Sequence, residues 1–257
     1  MTRRAPLGEG WDSRAVLVDG RWVERTARHP GAEAALRREA RLLPWLADRL
    51  PLPVPRPVVV GESPLVVRHA VVPGTALVDP DAAQARALGA FLRALHAVPV
   101  GDASAHGLPD PATTRGWRRR AFARFAAEVA PRLPDDRRLR GALDRLGEVP
   151  ADAVVHGDLR AEHVLAVDGA LAGVIDWGAA RAGDPAKDLE WLLLDTGRRA
   201  SVVAGYGADL TARARDWRTV GPCYAVVHGT DTGDDALVAA ALAQLRSAGR
   251  EPVEDAR

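Results

Sequence analysis

The chain has 257 residues, of which 47% are hydrophobic and 27% are charged, a composition typical of a globular protein with one large core or two small ones. Its 35 Lys and Arg nearly balance its 34 Asp and Glu, so it lacks the strong positive field of most proteins that bind nucleic acids or membrane surfaces. These numbers fit a globular enzyme, and we expect no nucleic-acid or membrane partner.

Residues 1–150 carry 24 basic against 17 acidic side chains, whereas residues 151–257 carry 11 against 17. Lys187 is the only lysine, so a basic group needed elsewhere must be Arg. Cys223 is the only cysteine, which excludes an intrachain disulfide, and the sequence has neither an N-terminal apolar segment nor an apolar run of about 18 residues. We therefore expect a cytoplasmic protein, monomeric or, as an open alternative, dimeric.

The first part of the chain alternates short apolar runs with turns. Residues 7–28 predict strands around Asp19-Gly20, a dipeptide typical of tight hairpins. Leucines at helical spacing then predict an amphipathic helix over residues 32–50, with a kink or break near Pro44. Residues 58–67 predict a further hairpin.

A chain-bending Pro73-Gly74 step follows this hairpin, and most of the remaining sequence has helical periodicity. We place the boundary here, which gives an N-terminal lobe of residues 1–70 and a helical lobe of residues 71–257, with a cleft between them. The helices predicted in the second lobe cover residues 82–96, 115–130, 135–146, 187–194, 208–218 and 235–247.

One stretch of the second lobe combines apolar runs with polar residues that carry chemistry. An apolar pair leads to His156 and Asp158, a second apolar pair follows His163, and after a turn another apolar run ends at Asp176. The order is therefore strand, loop, strand, turn, strand, acid. Carboxylates at neighbouring strand ends can hold a divalent metal against nucleotide phosphates while one acid orients a hydroxyl nucleophile.

We assign these roles to individual residues. Asp158 is the candidate general base, which would accept a hydrogen bond from a substrate hydroxyl. Asp176 is the candidate ligand of a Mg²⁺ ion that bridges the phosphates, and His163 is the candidate second ligand. An imidazole is a softer partner for Mg²⁺ than a carbonyl oxygen.

The motif resembles that of the aminoglycoside/macrolide phosphotransferase family. The resemblance rests on His156-Gly157-Asp158-Leu159 with His163, on residues 174–178, and on Gly183-Asp184-Pro185 with Asp188. It implies an α+β, two-lobed protein-kinase-like fold with a small β-rich lobe that carries one long helix. The residue matching His163 is usually Asn in this family; His there, with residues 10–13 and 36–43, looks most like the macrolide 2′-phosphotransferase branch.

The resemblance also implies where a nucleotide would bind. Arg25 stands at the position of the family's phosphate-binding basic residue and Glu39 at that of its helical acid partner, whereas Lys187 lies in the wrong segment for this role. A loop would lie over the phosphates, and the lobe connection would meet the base through its backbone. The residues concerned are Gly8, Gly10 and Ser13 in the loop and Arg68, His69 and Ala70 in the connection.

The remaining predicted site residues support the loop or act on the transferred group. Arg160 would neutralise charge on the transferring phosphoryl group. His156, Asp184 and Asp188 would support the catalytic loop structurally. The predicted walls of the acceptor pocket are Glu190, Trp191, Asp195, Tyr224 and Asp231; acids there suit a cationic amino sugar, although solvated helix faces would explain them as well.

The sequence thus predicts a small-molecule kinase that uses ATP or GTP with Mg²⁺ to phosphorylate a hydroxyl group of a macrolide or an aminoglycoside. Such phosphorylation would make antibiotic resistance a possible role. Two alternatives stay open: a kinase of an intracellular sugar, choline-like alcohol or amino alcohol, and a nucleotide-binding regulatory module with weak catalysis. A protein kinase is disfavoured because six residues between Asp176 and Gly183 are too few for an activation loop.

Overall fold

The computed structural model describes residues 2–9 and 12–248, which begin with a five-stranded antiparallel sheet in the order β1-β2-β3-β5-β4. Its strands are β1 (Arg4–Glu9), β2 (Ser13–Val18), β3 (Trp22–Ala27), β4 (Val58–Glu62) and β5 (Leu65–Ala70). The predicted turn joins β2 to β3, with φ of 52° at Asp19 and 69° at Gly20. Positive φ at both positions is what tight hairpins require, so this prediction is confirmed.

One long helix, α1 (Pro30–Ala47), packs on this sheet. It begins where the His29 ring accepts the Ala32 amide and where Pro30 supplies a helix-compatible φ. Its buried leucines include Leu36, which packs with Leu65 and Val67 of β5. The helix continues three residues past Pro44, so this proline does not end it.

Helices make up most of the C-terminal part. They are α2 (Ala82–His96), α3 (Val100–Ala105), α4 (Pro111–Arg124), α5 (Arg137–Glu148), α6 (Glu190–Leu193), α7 (Arg199–Tyr206), α8 (Thr211–Thr232) and α9 (Asp235–Ala248). The bounds predicted for α2 are confirmed, and its first turn is fixed by a capping box between Asp81 and Gln84. The short α3 and α7 were not predicted, and α8 extends well past the predicted end at residue 218, through Pro222.

Two small sheets sit among these helices and carry the motif residues. The strands are β6 (Thr75–Ala76), β7 (Ala153–Val155), β8 (Val164–Val167), β9 (Ala170–Val174) and β10 (Arg181–Gly183), arranged as β6-β8-β9 and β7-β10. The predicted order of strand, loop, strand, turn and strand is confirmed for β7, β8 and β9. The two-residue β6 and three-residue β10 were not predicted, since such short strands have no periodicity to detect.

Two apolar clusters organise the molecule around these strands. The larger one joins the end of α1, through Leu43 and Leu46, to Leu88 and Phe91 of α2 and to Trp177 after β9. The other holds together α4, α5, α8 and α9. The motif loops therefore lie where the N-terminal sheet, α2 and the helical cluster meet. Within residues 2–9 and 12–248, none of the helices has the length and apolarity needed to span a membrane.

Candidate active site

The loop after β7 is fixed by its backbone. Gly157 has φ of 84°, and a Cβ at this position would lie 2.4 Å from the carbonyl oxygen of Ala179. Only glycine allows this close approach. The amides of His156 and Gly157 donate to the two oxygens of Asp188, at 2.7 and 2.8 Å. Asp188 is fully buried, so it anchors the loop from below.

Asp188 has a further partner that the sequence did not suggest. The Nε2 atom of His96, the last residue of α2, lies 3.1 Å from Asp188, and its Nδ1 atom lies 3.0 Å from the Tyr206 hydroxyl. Burial alone raises the pKa of Asp188, but the hydrogen bonds from His96 and Gly157 hold that pKa below its ordinary value. The loop is thus tied to α2 and α7 by an ionised carboxylate.

His156 and Asp158 have opposite environments although only Gly157 separates them. The buried His156 donates from Nε2 to the Ile175 carbonyl at 2.9 Å, and its Nδ1 accepts the Asp158 amide at 3.4 Å. Burial lowers the pKa of His156, so the ring is a neutral structural element. Asp158 is 40% exposed at its side chain and contacts Arg160, whose Nη2 lies 3.0 Å from Oδ1.

His163 and Asp176 face each other at 3.5 Å between Nε2 and Oδ2. The Nδ1 atom of His163 donates to the Asp158 carbonyl at 2.7 Å, which leaves Nε2 facing the Asp176 carboxylate. Asp176 itself has φ of 63°, a backbone conformation uncommon for a residue other than glycine.

The two side chains, Asp176 and His163, fit a divalent cation whose remaining ligands come from phosphate and water. In the described part of the chain, no group of three or more His, Cys, Asp or Glu side chains could hold a metal ion. Mg²⁺ in nucleotide sites commonly takes only one or two protein ligands and completes its shell with phosphate oxygens and water. Asp176 and His163 are the residues that would hold a Mg²⁺ ion in this way.

Arg25 connects the N-terminal sheet to this pair. Its Nη1 atom contacts Glu39 Oε2 at 2.6 Å, its Nε atom donates to Ser13 Oγ at 3.2 Å, and Nη2 lies 3.8 Å from Asp176 Oδ1. Burial raises the pKa of Glu39, against the opposing charge of Arg25. A continuous line of charged groups therefore runs from α1 through β3 to Asp176.

The other predicted nucleotide residues lie around this line. Gly8 belongs to β1, and Gly10 lies outside the described residues. Arg68 pairs with Glu24, and since side chains alternate along a strand, this pair lies on the sheet face opposite Arg25. Only the backbone of Arg68 can serve a ligand on the Arg25 face.

His69 and Ala70 follow at the end of β5. The Nδ1 atom of His69 donates to the Ala70 carbonyl at 2.8 Å, and burial lowers the pKa of His69. The Ala70 carbonyl is therefore already an acceptor.

The residues predicted to wall the acceptor pocket do not form one surface. Glu190 pairs with Arg218 at 2.6 Å, Asp195 with Arg198 at 3.2 Å, and Asp231 with Arg124 at 2.9 Å. Trp191 packs against the larger core. Tyr224 lines a cavity to which these four described residues do not contribute. The three acids are therefore paired with arginines, and the position of the acceptor pocket stays a prediction.

Asp184 is a buried structural acid with partners mainly in α8. Its carboxylate accepts the Ala186 amide at 3.1 Å and the Trp217 indole N–H at 2.8 Å, and it lies 3.5 Å from Arg213. The latter two residues belong to α8. Asp184 thus attaches the segment after β10 to α8 rather than holding the catalytic loop, which Asp188 does.

The fold and this arrangement define a kinase-like phosphotransferase. The sequence profile of the APH family, described as the phosphotransferase enzyme family, matches residues 3–223, and the chain belongs to this family. Viomycin phosphotransferase of Streptomyces vinaceus is 33% identical over 219 residues, which cover 78% of this chain and 71% of that protein.

Solved structures give the same result. The GDP and kanamycin complex of APH(2″)-IIIa superposes with a TM-score of 0.83 at 26% identity, covering 96% of this chain and 93% of that one. The macrolide 2′-phosphotransferase MphH from Brachybacterium faecium gives 0.73 at 28% identity, covering 99% and 93%. The predicted fold class, family and enzyme class are confirmed; the narrower macrolide branch stays a prediction, since both substrate groups are represented.

Proposed function

We propose that the protein transfers the γ-phosphoryl group of ATP or GTP to a hydroxyl group of a small molecule, with macrolides and aminoglycosides as the first candidates and antibiotic resistance as the biological role. The observation that carries this proposal is the line of charged groups from Glu39 through Arg25 and Asp176 to His163, which ends at the partly exposed Asp158. On this proposal, the line would run from the phosphates of a bound nucleoside triphosphate to the acceptor hydroxyl.

On this proposal the N-terminal sheet binds the donor. Arg25 holds the phosphates, Glu39 fixes the guanidinium, and Gly8 of β1 and Ser13 of β2 lie against them. The backbone of residues 68–70 meets the base. Asp176 and His163 would hold a Mg²⁺ ion, which supplies charge neutralisation to the phosphates. The GDP complex of a similar enzyme supports a nucleotide donor and leaves ATP and GTP as equal candidates.

The helical part provides the acceptor chemistry. Asp158 accepts the proton of the attacking hydroxyl and orients its oxygen toward phosphorus. Arg160, which contacts Asp158, moves onto the transferring phosphoryl group as negative charge develops there. His156 and Asp188 keep the loop in position without exchanging a proton with substrate.

A second candidate function is the phosphorylation of an intracellular alcohol, such as a sugar or a choline-like or amino alcohol. It is favoured by the arginine partners of Glu190, Asp195 and Asp231, since acids already neutralised in this way attract a polycationic antibiotic less strongly.

The two candidates are separated by a phosphorylation screen. Purified protein is incubated with Mg²⁺ and either ATP or GTP against aminoglycosides, macrolides and a set of sugars and amino alcohols, and products are detected by their mass. We expect a phosphorylated antibiotic. Products found only among the metabolites would replace the first candidate by the second, and nucleotide binding without any transfer would favour a regulatory module.

A further inference from the structure

A cavity of about 200 Å³ lies between α4 and α8, closed on the inside by β7, β10 and the turn before α6. Its walls combine the aromatic side chains of Trp117, Trp217 and Tyr224 with basic side chains. Trp117 is 42% exposed and lies where the cavity meets solvent. Pockets for drug-sized ligands occupy roughly 300–1,000 Å³, so this one fits a single small ring or one group of a larger molecule.

The charges in these walls are unbalanced. Arg118, Arg181 and Lys187 line the cavity against one acid, Asp184, whose oxygens are already taken by α8 and a backbone amide. Arg118 and Arg181 donate to backbone carbonyls, which do not neutralise them. Among the residues that the structure describes, none of the three basic side chains forms an ion pair with a carboxylate.

Lys187 shows the imbalance most clearly. Its ammonium lies 5.1 Å from the ring centroids of both Trp217 and Tyr224, contacts that attract a cation only weakly compared with a carboxylate. Burial and the neighbouring charge of Arg181 lower the pKa of Lys187 to about 8, against the opposing charges of Asp158, Glu190 and Asp188. An anion in the cavity would stabilise the charged form.

A hydroxyl group in the same wall also lacks a partner. Thr114 is 5% exposed, and its Oγ1 atom has no hydrogen-bond partner among the described residues. A buried hydroxyl without a partner is uncommon and destabilises the folded protein. Together with the basic groups, it presents a donor to any acceptor oxygen that enters.

The cavity also adjoins the catalytic loop. The Arg181 guanidinium lies so close to Gly157 that a Cβ there would be 2.6 Å from Nη1, and Val155, which ends β7, belongs to the cavity wall. We propose that this cavity binds the carboxylate or phosphate group of a small organic anion, whose apolar part packs against Trp217 and Tyr224. The anion belongs either to the acceptor itself or to a separate small acid.

Binding of benzoate, phenyl phosphate and the neutral benzamide to the whole protein by titration calorimetry tests this site. We expect benzoate or phenyl phosphate to bind at least about tenfold more tightly than benzamide. Lys187→Met should remove this preference and Thr114→Val should weaken it, whereas Arg49→Met, which removes a cation over the unrelated Trp45 ring, should not change it. Equal binding of benzoate and benzamide, or an unchanged preference in Lys187→Met, would overturn the proposal.

A second measurement needs no variant. Because Lys187 is the only lysine, protein labelled with ¹³C-lysine gives one set of side-chain NMR signals. Benzoate should shift the ε-methylene signal of Lys187 and raise the pH at which it titrates; no shift at saturating benzoate contradicts the site. If benzoate inhibits transfer competitively with the acceptor, the anionic group belongs to the acceptor. If benzoate leaves the acceptor KM unchanged, the anionic group belongs to a separate acid. Either result supports the site.

Discussion

At the scale of single residues, buried structural side chains and exposed candidate catalytic side chains lie only a few positions apart in the loop after β7. His156 is buried, neutral and bound to the Ile175 carbonyl, whereas Asp158 is exposed enough to meet a substrate. His163 belongs to both groups, since Nδ1 holds the loop and Nε2 faces Asp176. The metal preference of the enzyme should therefore depend on Nε2.

Replacing His163 with Asn tests this dependence. Mg²⁺ prefers oxygen ligands, whereas Mn²⁺ accepts an imidazole readily. We expect His163→Asn to preserve or increase Mg²⁺-supported turnover and to lower the ratio of Mn²⁺- to Mg²⁺-supported kcat/KM by about tenfold. Mn²⁺ binding followed by electron paramagnetic resonance provides a readout independent of turnover. An unstable variant with an unchanged metal ratio would show that His163 is a packing residue.

Arg25 and Glu39 give a second test at this scale, with a control in the same strand. Glu39→Gln removes the ionic partner of Arg25, so we expect the KM for nucleotide to rise about tenfold with little change in the KM for acceptor. Glu24→Gln is the matched control, because Glu24 pairs with Arg4 and Arg68 on the other face of the sheet. Equal effects of the two substitutions on nucleotide KM would contradict a donor site at Arg25.

Contacts between residues at known family positions could be predicted from the sequence, whereas contacts made only by the tertiary fold could not. Arg25 and Glu39 were proposed from family positions, and they are in contact. His96 and Asp188 are 92 positions apart, and His96 ends an apolar helix, which suggested packing. Lys187, which lies in the wrong segment for the predicted phosphate-binding role, lines the cavity together with Tyr224, a residue predicted for the acceptor pocket.

At the scale of elements, α2 and α7 approach closely through two glycines. A Cβ at Gly205 would lie 2.0 Å from the Arg86 carbonyl oxygen, and one at Gly89 would lie 2.5 Å from that of Val202. Because His96 and Tyr206 end these helices, their crossing also positions the partners of Asp188. The sequence did not predict α7, since its eight residues, which begin with Arg199, show no clear apolar stripe.

Gly205→Ala tests this contact. The methyl group must displace backbone atoms, so we expect the free energy of unfolding to fall by about 1–3 kcal/mol, measured by urea denaturation. Gly221→Ala in α8 is the control: no heavy atom lies within 4 Å of its Cβ position, and alanine should stabilise the helix by up to about 1 kcal/mol. A Gly205→Ala protein as stable as wild type would show that the helices can separate at no cost.

At the scale of the whole molecule, a single apolar cluster joins α1, α2 and the strands that carry the motif. The sequence predicted α1 and α2 of this core from their periodicity, but not α3, α7 or β10, which also contribute residues to it. It did not predict which charges would be paired, because arginine partners such as Arg218 for Glu190 and Arg124 for Asp231 are set by tertiary packing.

Buried histidines make the stability of the molecule depend on pH. Burial lowers the folded-state pKa of His156 and of His69, so the unfolded chain binds more protons as the pH falls through about 6.5, the ordinary histidine value. The free energy of unfolding should therefore decrease between pH 7.5 and 5.5, by at most about 1.4 kcal/mol per pH unit for each histidine. Urea denaturation at several pH values checks this, and stability that rises on acidification would contradict it.

The most direct test of the account is phosphoryl transfer by Asp158→Asn. With the acceptor found in the screen and γ-labelled ATP or GTP, we expect transfer to fall about 10²–10⁴-fold, because the hydroxyl loses its base, while nucleotide affinity stays unchanged. Asp152→Asn, an exposed change just before β7, should transfer at the wild-type rate. Wild-type transfer by Asp158→Asn would contradict the assignment of this carboxylate as the base and, with it, the proposed mechanism.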